Sequence, residues 1–425
     1  MKSAIHSSLL VAIMASACSF SSSAQTQDTL GIPERSIVIT GNKERGADLI
    51  AVLYSREDMH FLDPMAPRFL LLDQQGKVAF GIGGNVKGQL MYDMDGAIDN
   101  NGFTTYDIPV PMNPAQRNRL AGDATHSTLY MRLVGRTKLG LLNAYFQSNF
   151  TGNDDSYGMT IKQAWVSLGN VTAGYARSSF VDAEAQPPTI DSEGPSGATG
   201  TKDLLVRYKK KFGKGFTAAI SAEVPKSSYS LNTSVEEIAQ RCPDLPIYLQ
   251  YGWNDNSHVR VSALLRNLSY RDLATQHNEW ATGWAVQLSG MFTVAKDLTV
   301  YYQGAYGKGY GQFINDLSGN GFDLIPSHTP GKMEMPGVMG MLAGVQYNIS
   351  PKFFVSATYS QARLYDQGTL GPDTYRYGQY VVANGFYNIL DDLQVGLEYN
   401  WGKRTDVNHQ SGHANRISAM VQYNF

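Results

Sequence analysis

Apolar and polar side chains alternate along most of the chain, from about residue 77 to the C-terminus. In the last ten residues Ile417, Ala419, Val421, Tyr423 and Phe425 alternate with Arg416, Ser418, Gln422 and Asn424, and only Met420 breaks the rule. Just upstream, Leu393, Val395, Leu397, Tyr399 and Trp401 share one side, with Gln394, Gly396, Glu398 and Asn400 on the other. A period of two describes a β-strand with one apolar and one polar face.

The connections between such runs sort by length. Tight turns are expected at 139–140, 169–170, 213–215, 254–256, 295–297, 350–351 and 390–391, carried by Gly, Asn, Asp and Pro-Lys steps. Longer polar connections fall at about 95–124, 151–156, 178–201, 226–245, 271–278, 310–335, 365–373 and 404–412. Seven short and eight long connections predict about sixteen strands, with both chain ends on one side. Short turns at one end and long loops at the other mark an all-β transmembrane antiparallel barrel, whereas a soluble sandwich has no reason to sort its loops. Barrels of sixteen to eighteen strands leave an aqueous channel, so a pore is the expected product.

Strand parity assigns the charges. If Leu129, Met131 and Leu133 face lipid, Arg132 and Arg136 face the lumen. Leu204, Val206 and Tyr208 outward place Arg207, Lys209 and Lys211 inward, and Val259, Val261, Ala263 and Leu265 outward do the same for Arg260 and Arg266. An Arg or Lys facing lipid at mid-depth would cost about 2–4 kcal/mol, so energy and parity agree. Lys87, Arg376 and Arg416 are weaker additions to this pore-lining set. The third long connection, 178–201, carries Asp182, Glu184, Asp191 and Glu193 and is stiffened by Pro187-Pro188. It is expected to fold inward as a constriction loop facing the cationic wall, giving a transverse field that favours anionic solutes.

Composition sharpens this picture. Charged residues make up 17%, against about 25% in ordinary soluble proteins, while 25 Tyr, 17 Phe and 42 Gly suit lipid-facing girdles and close strand packing. The balance of 35 Lys+Arg and 37 Asp+Glu argues against a nucleic-acid partner. Lys2, the apolar run Leu9–Met14 and Ser22-Ser23-Ala24 form a signal peptide over 1–24, which predicts export and maturation at Gln25. Acylation at Cys18 is the alternative. Residues 25–76 read as a periplasmic N-terminal segment, with a short helix in Ala47–Met59 and a hairpin from Arg68–Leu72 through Asp73–Lys77. This segment either fills the barrel mouth or forms a tail.

Catalytic and cofactor chemistry is not expected. No phosphate loop, nucleophile elbow or His-Glu-x-x-His occurs. His409 and His413 lie in a Gly/Ser/Asn-rich loop where a zinc site is unexpected. Gly81, Gly83, Gly84 and Gly88 lie within a strand, which favours close packing over nucleotide binding. Cys242 reads as an unpaired bystander. An outer-membrane barrel enzyme remains the alternative of a different class.

The stretch 164–175, AWVSLGNVTAGY, resembles the hairpin before the constriction loop of general porins. Ser178-Ser179-Phe180-Val181-Asp182, Pro187-Pro188, Ile190-Asp191 and Pro67-Arg68-Phe69 resemble the DcaP-like porin family. The resemblance implies an outer-membrane homotrimer passing small negatively charged solutes such as dicarboxylates, with a non-selective general porin as the alternative. That family's founding type has a heptad-rich N-terminal coiled coil, and sustained heptads are missing here. Outer-membrane lipid and lipopolysaccharide are the expected surroundings. The aromatic C-terminus at Phe425 looks like the signal read by the barrel-assembly machinery.

Overall fold

A computed structural model describes residues 37–39, 46–98, 101–152, 157–254 and 256–425. The signal peptide, its cleavage site and Cys18 lie outside the described residues.

Sixteen antiparallel strands form the wall: β1 (Val78–Asp95), β2 (Thr128–Thr137), β3 (Gly140–Asn149), β4 (Thr160–Leu168), β5 (Val171–Arg177), β6 (Lys202–Phe212), β7 (Phe216–Glu223) and β8 (Leu245–Asn254). The second half comprises β9 (Ser257–Asp272), β10 (Asn278–Ala295), β11 (Leu298–Lys308), β12 (Gly337–Ser350), β13 (Phe353–Leu364), β14 (Tyr375–Asn388), β15 (Leu393–Asp406) and β16 (Ser411–Asn424). Each pairs with the next, and β16 returns to β1 from Asn424↔Asn85 up to Asn415↔Asp95. Closure satisfies the backbone of every wall strand without an open edge, which a lipid environment demands.

The expected turns and loops fall between these strands, but three of the loops also carry short strands: Val235–Glu237 pairs with β9, Ile325–Pro326 pairs with Met333–Glu334, and a third precedes β2. Arg119–Asp123, read as loop, is a short strand paired with Asp93–Gln89 of β1 and stacked end to end with β2. Gly122 and Asp123 interrupt its pattern, so the sequence gives little sign of it. Parity places the outer face well: Leu204, Val206, Tyr208, Val261, Leu265 and Val421 are all exposed on the outside of the wall. Met420, the exception in β16, is buried inside against Ile190, Phe386 and Phe61. An apolar residue breaks the alternation because Ile190 and Phe61 cover it.

The described part of the leader has a short strand, Ile37–Ile39, parallel to Phe69–Leu71, and then α1 (Ala47–Tyr54), which stops short of Met59 because Ser55 is extended. Leu49, Ile50 and Leu53 pack on Leu70, Leu72, Ala79 and Val134. Phe69–Leu72 then pairs antiparallel with Leu72↔Ala79 through Phe69↔Ile82 of β1. It covers the stretch of β1 below Phe425, whose own backbone exchanges two 3.0 Å hydrogen bonds with Gly84.

Candidate functional site

The segment 178–201, between β5 and β6, makes its contacts with inward-facing side chains around the wall. Lys87 of β1 donates to the Ile190 carbonyl at 3.0 Å. Gln287 of β10 accepts from Thr199 at 2.9 Å, Ser360 of β13 from the Gly197 N–H at 2.9 Å, and Asn384 of β14 donates to the Pro188 carbonyl at 2.8 Å. Glu398 of β15 accepts from the N–H groups of Ile190 and Asp191 at 2.6 and 2.8 Å. These backbone groups lie away from bulk water and need such partners. Phe180 joins an apolar cluster with Tyr310, Phe313, Ile314 and Leu317 from the loop between β11 and β12.

The leader follows a second route across the same interior. Arg132 of β2 donates to the Ser55 carbonyl at 3.2 Å, and Tyr130 to that of Met65 at 2.7 Å. Asp58 lies 2.5 Å from Lys209 of β6 and 3.4 Å from Arg260 of β9, while Asp63 lies 2.8 Å from Arg177 of β5. Phe61 packs edge-on to Phe386 of β14, with ring centres 5.0 Å apart. Gly81 and Gly83 of β1 admit this segment, since a Cβ would stand 2.7 Å from Pro67 Cγ at the first and 2.9 Å from its Cα at the second. Burial opposes ionisation of Asp58, yet Lys209, Arg260 and Arg207 together outweigh it and hold its carboxyl well below the usual range.

Between these fillings and the first six strands remains a cavity of about 390 Å³. Its charged lining is Lys87, Lys162, Arg177, Lys202 and Lys226 against Asp63 and Glu193, with His60 and His126 beside them. Arg177 is paired with Asp63, and Lys226 lies 3.4 Å from Asp203. The side-chain ammonium groups of Lys162 and Lys202 have no hydrogen bond or ion pair among the described residues. Desolvation inside the barrel, with Asp191 and Asp316 nearby, pushes the Glu193 carboxyl up to about 7, although its side chain stays open to the cavity. Burial takes His60 down to about 4, which leaves it neutral.

A closed sixteen-strand barrel with a polar, partly filled bore is the frame on which the comparisons bear. The family model described as "Porin subfamily" matches residues 85–424. The chain belongs to the porin family. The outer membrane channel DcaP of Acinetobacter baumannii superposes with a TM-score of 0.72 at 20% identity, over 83% of this chain and 98% of that one. The anion-selective porin from Comamonas acidovorans gives 0.54 at 11% identity, over 82% and 100%. The trimer form of OmpT from Vibrio cholerae gives 0.53 at 11%, over 82% and 100%. No curated protein sequence matches. The protein is thus an outer-membrane channel of DcaP-like fold.

The porin's charges are distributed differently from a simple opposition of basic wall and acidic loop. Arg132 bonds to Asn143 and the leader backbone, and Arg136 pairs with Asp48. Arg207 binds Ser179 at 2.8 Å and the Arg177 carbonyl, while Lys209 and Lys211 both pair with Glu57 at 2.8 Å. Arg260 reaches Asp58 and Asp182, and fully buried Arg266 lies 3.1 Å from Asp244 and 3.2 Å from Asp323. None of these seven lines the 390 Å³ cavity, and of the four loop acids only Glu193 does. Asp182 is enclosed by His258 (2.9 Å), Ser289 (2.6 Å) and Arg260. Burial opposes its ionisation, but Arg260, His258 and Ser289 pull its carboxyl to about 2. Glu184 accepts from the Asp58 N–H at 2.6 Å, and Asp191 from the Phe103 N–H at 2.8 Å and the Tyr380 hydroxyl at 3.0 Å.

The weaker additions divide. Lys87 lines the cavity, Arg416 pairs with Asp93 at 2.7 Å, and Arg376 meets His409 at an exposed loop. His413 lies 3.4 Å from Asp95, and Cys242 is exposed. Lys162, Arg177, Lys202 and Lys226 were absent from the sequence-derived set. Parity from Ile161 would have found Lys162, a bulge residue left out of the β3–β4 register. Arg177 and Lys202 share the parity of outward Leu204, but they pair with each other at the strand ends that flank segment 178–201.

Proposed function

We propose that this porin is a narrow diffusion channel favouring small anionic solutes, carboxylates among them, with segment 178–201 as its constriction. The observation that carries the reading is a cavity with five basic side chains against two carboxylates, where the side chains of Lys162 and Lys202 have no partner among the described residues. Residual charge, rather than total charge, sets the potential met by an ion in transit. The Comamonas acidovorans porin described as anion-selective and the trimeric form of the Vibrio cholerae protein support anion preference and a homotrimer. Export through a cleaved signal at 1–24, a periplasmic start to the leader, and recognition of Phe425 by the assembly machinery complete the proposal. Lipid and lipopolysaccharide would contact the apolar outer face.

Purified protein in planar bilayers tests it. Stepwise conductance with a reversal potential favouring chloride over potassium is expected. A cation-selective channel would overturn the anion preference, equal permeabilities would favour a general diffusion porin, and a silent, hydrolytic preparation would overturn the channel assignment.

A further inference from the structure

We propose that residues 55–67 are a lumenal insert that sets the selectivity of this channel, with Asp58 and Asp63 as specificity-determining residues occupying cations that a permeating anion would otherwise meet. The inference rests on the channel reading above but not on the sign of its selectivity.

Its first support is position. The segment touches Tyr130 on β2, Lys209 on β6, Arg260 on β9 and Phe386 on β14, through side chains that point inward. The second and ninth strands lie nearly opposite one another in a ring of sixteen. A chain that reaches both crosses the bore rather than lining one side.

The second support is charge placement. Asp58 sits between Lys209 and Arg260, and Asp63 on Arg177, so two leader carboxylates cover three wall cations. Arg177 and Asp63 both border the 390 Å³ cavity, where this neutralisation is felt directly. Asp58 is turned toward its cations by a left-handed backbone (φ +60°), a conformation unusual for a non-glycine residue.

The third support is anchorage. The insert is held at one end by the apolar packing of α1 and at the other by Pro67 over Gly81 and Gly83. In the middle, the Asp58 N–H donates to Glu184, tying it to segment 178–201. The two internal segments therefore form one constriction, built from residues far apart in the chain.

The test uses full-length protein in planar bilayers, comparing wild type with Asp58→Asn and Asp63→Asn. Asparagine keeps the shape and removes the charge. Each substitution is expected to raise the anion-to-cation permeability ratio by about fourfold in 0.1 M salt, the effect of one unit charge at close range. Ratios unchanged from wild type in both variants overturn the proposal, whatever the wild-type preference. A wild type that prefers cations, with both variants shifted toward anions, supports the insert while refuting the anion-channel reading. If neither asparagine variant yields channels, Glu57→Cys in a Cys242→Ser background answers instead. A stepwise fall in current on adding a sulfonated methanethiosulfonate, absent from the Cys242→Ser background alone, supports a lumenal insert. An unmodified current overturns it.

Discussion

Lys162→Glu is the sharpest probe of which cations an ion meets. Lys162 borders a cavity of about 390 Å³ and has no ion pair among the described residues, so its replacement changes the local charge by two units. Unit charges about 6 Å apart in water interact by about 0.7 kcal/mol, and a Debye length of about 10 Å at 0.1 M salt lowers this to about 0.4 kcal/mol. The effect has opposite sign for anion and cation, so one charge changes the permeability ratio about fourfold and two change it more than tenfold by the same estimate. Reversal potentials in a potassium chloride gradient give this ratio directly. Lys211→Glu is the internal comparison: Lys211 is exposed, already paired with Glu57 and outside the cavity lining, so a smaller shift is expected. A Lys162→Glu ratio within about twofold of wild type, in channels that still conduct, would refute the assignment of residual charge to this cavity.

Three further outcomes follow from the same geometry. Anion preference should rise as pH falls from 8 to 6, because Glu193, with its carboxyl near 7, takes up a proton and the cavity loses a negative charge; Glu193→Gln should make that rise smaller. Gly197→Val should loosen segment 178–201 and raise single-channel conductance, since a Cβ there would lie 2.2 Å from the Gln361 carbonyl and 2.6 Å from Met341 N; unchanged conductance would count against the segment as constriction. Arg266→Met strands Asp244 and Asp323 in the interior and should cost about 3–5 kcal/mol, read as a lower urea midpoint for the barrel refolded in lipid vesicles.

The sequence by itself determined the barrel. Period-two alternation and the contrast of short and long connections are local signals, and lipid makes them strict, because each wall strand must present an apolar face and leave no open edge. Strand number and closure were therefore legible. What remained hidden was which charges are spent. Asp58 meets Lys209 from 151 positions away and Arg260 from 202, and Asp244 and Asp323 approach Arg266 from different loops. Parity says that a side chain points inward but not what it finds there. Only the tertiary structure decided that: segments 55–67 and 178–201 bind the same wall side chains, and among the described residues the ammonium groups of Lys162 and Lys202 are left without a partner at the cavity.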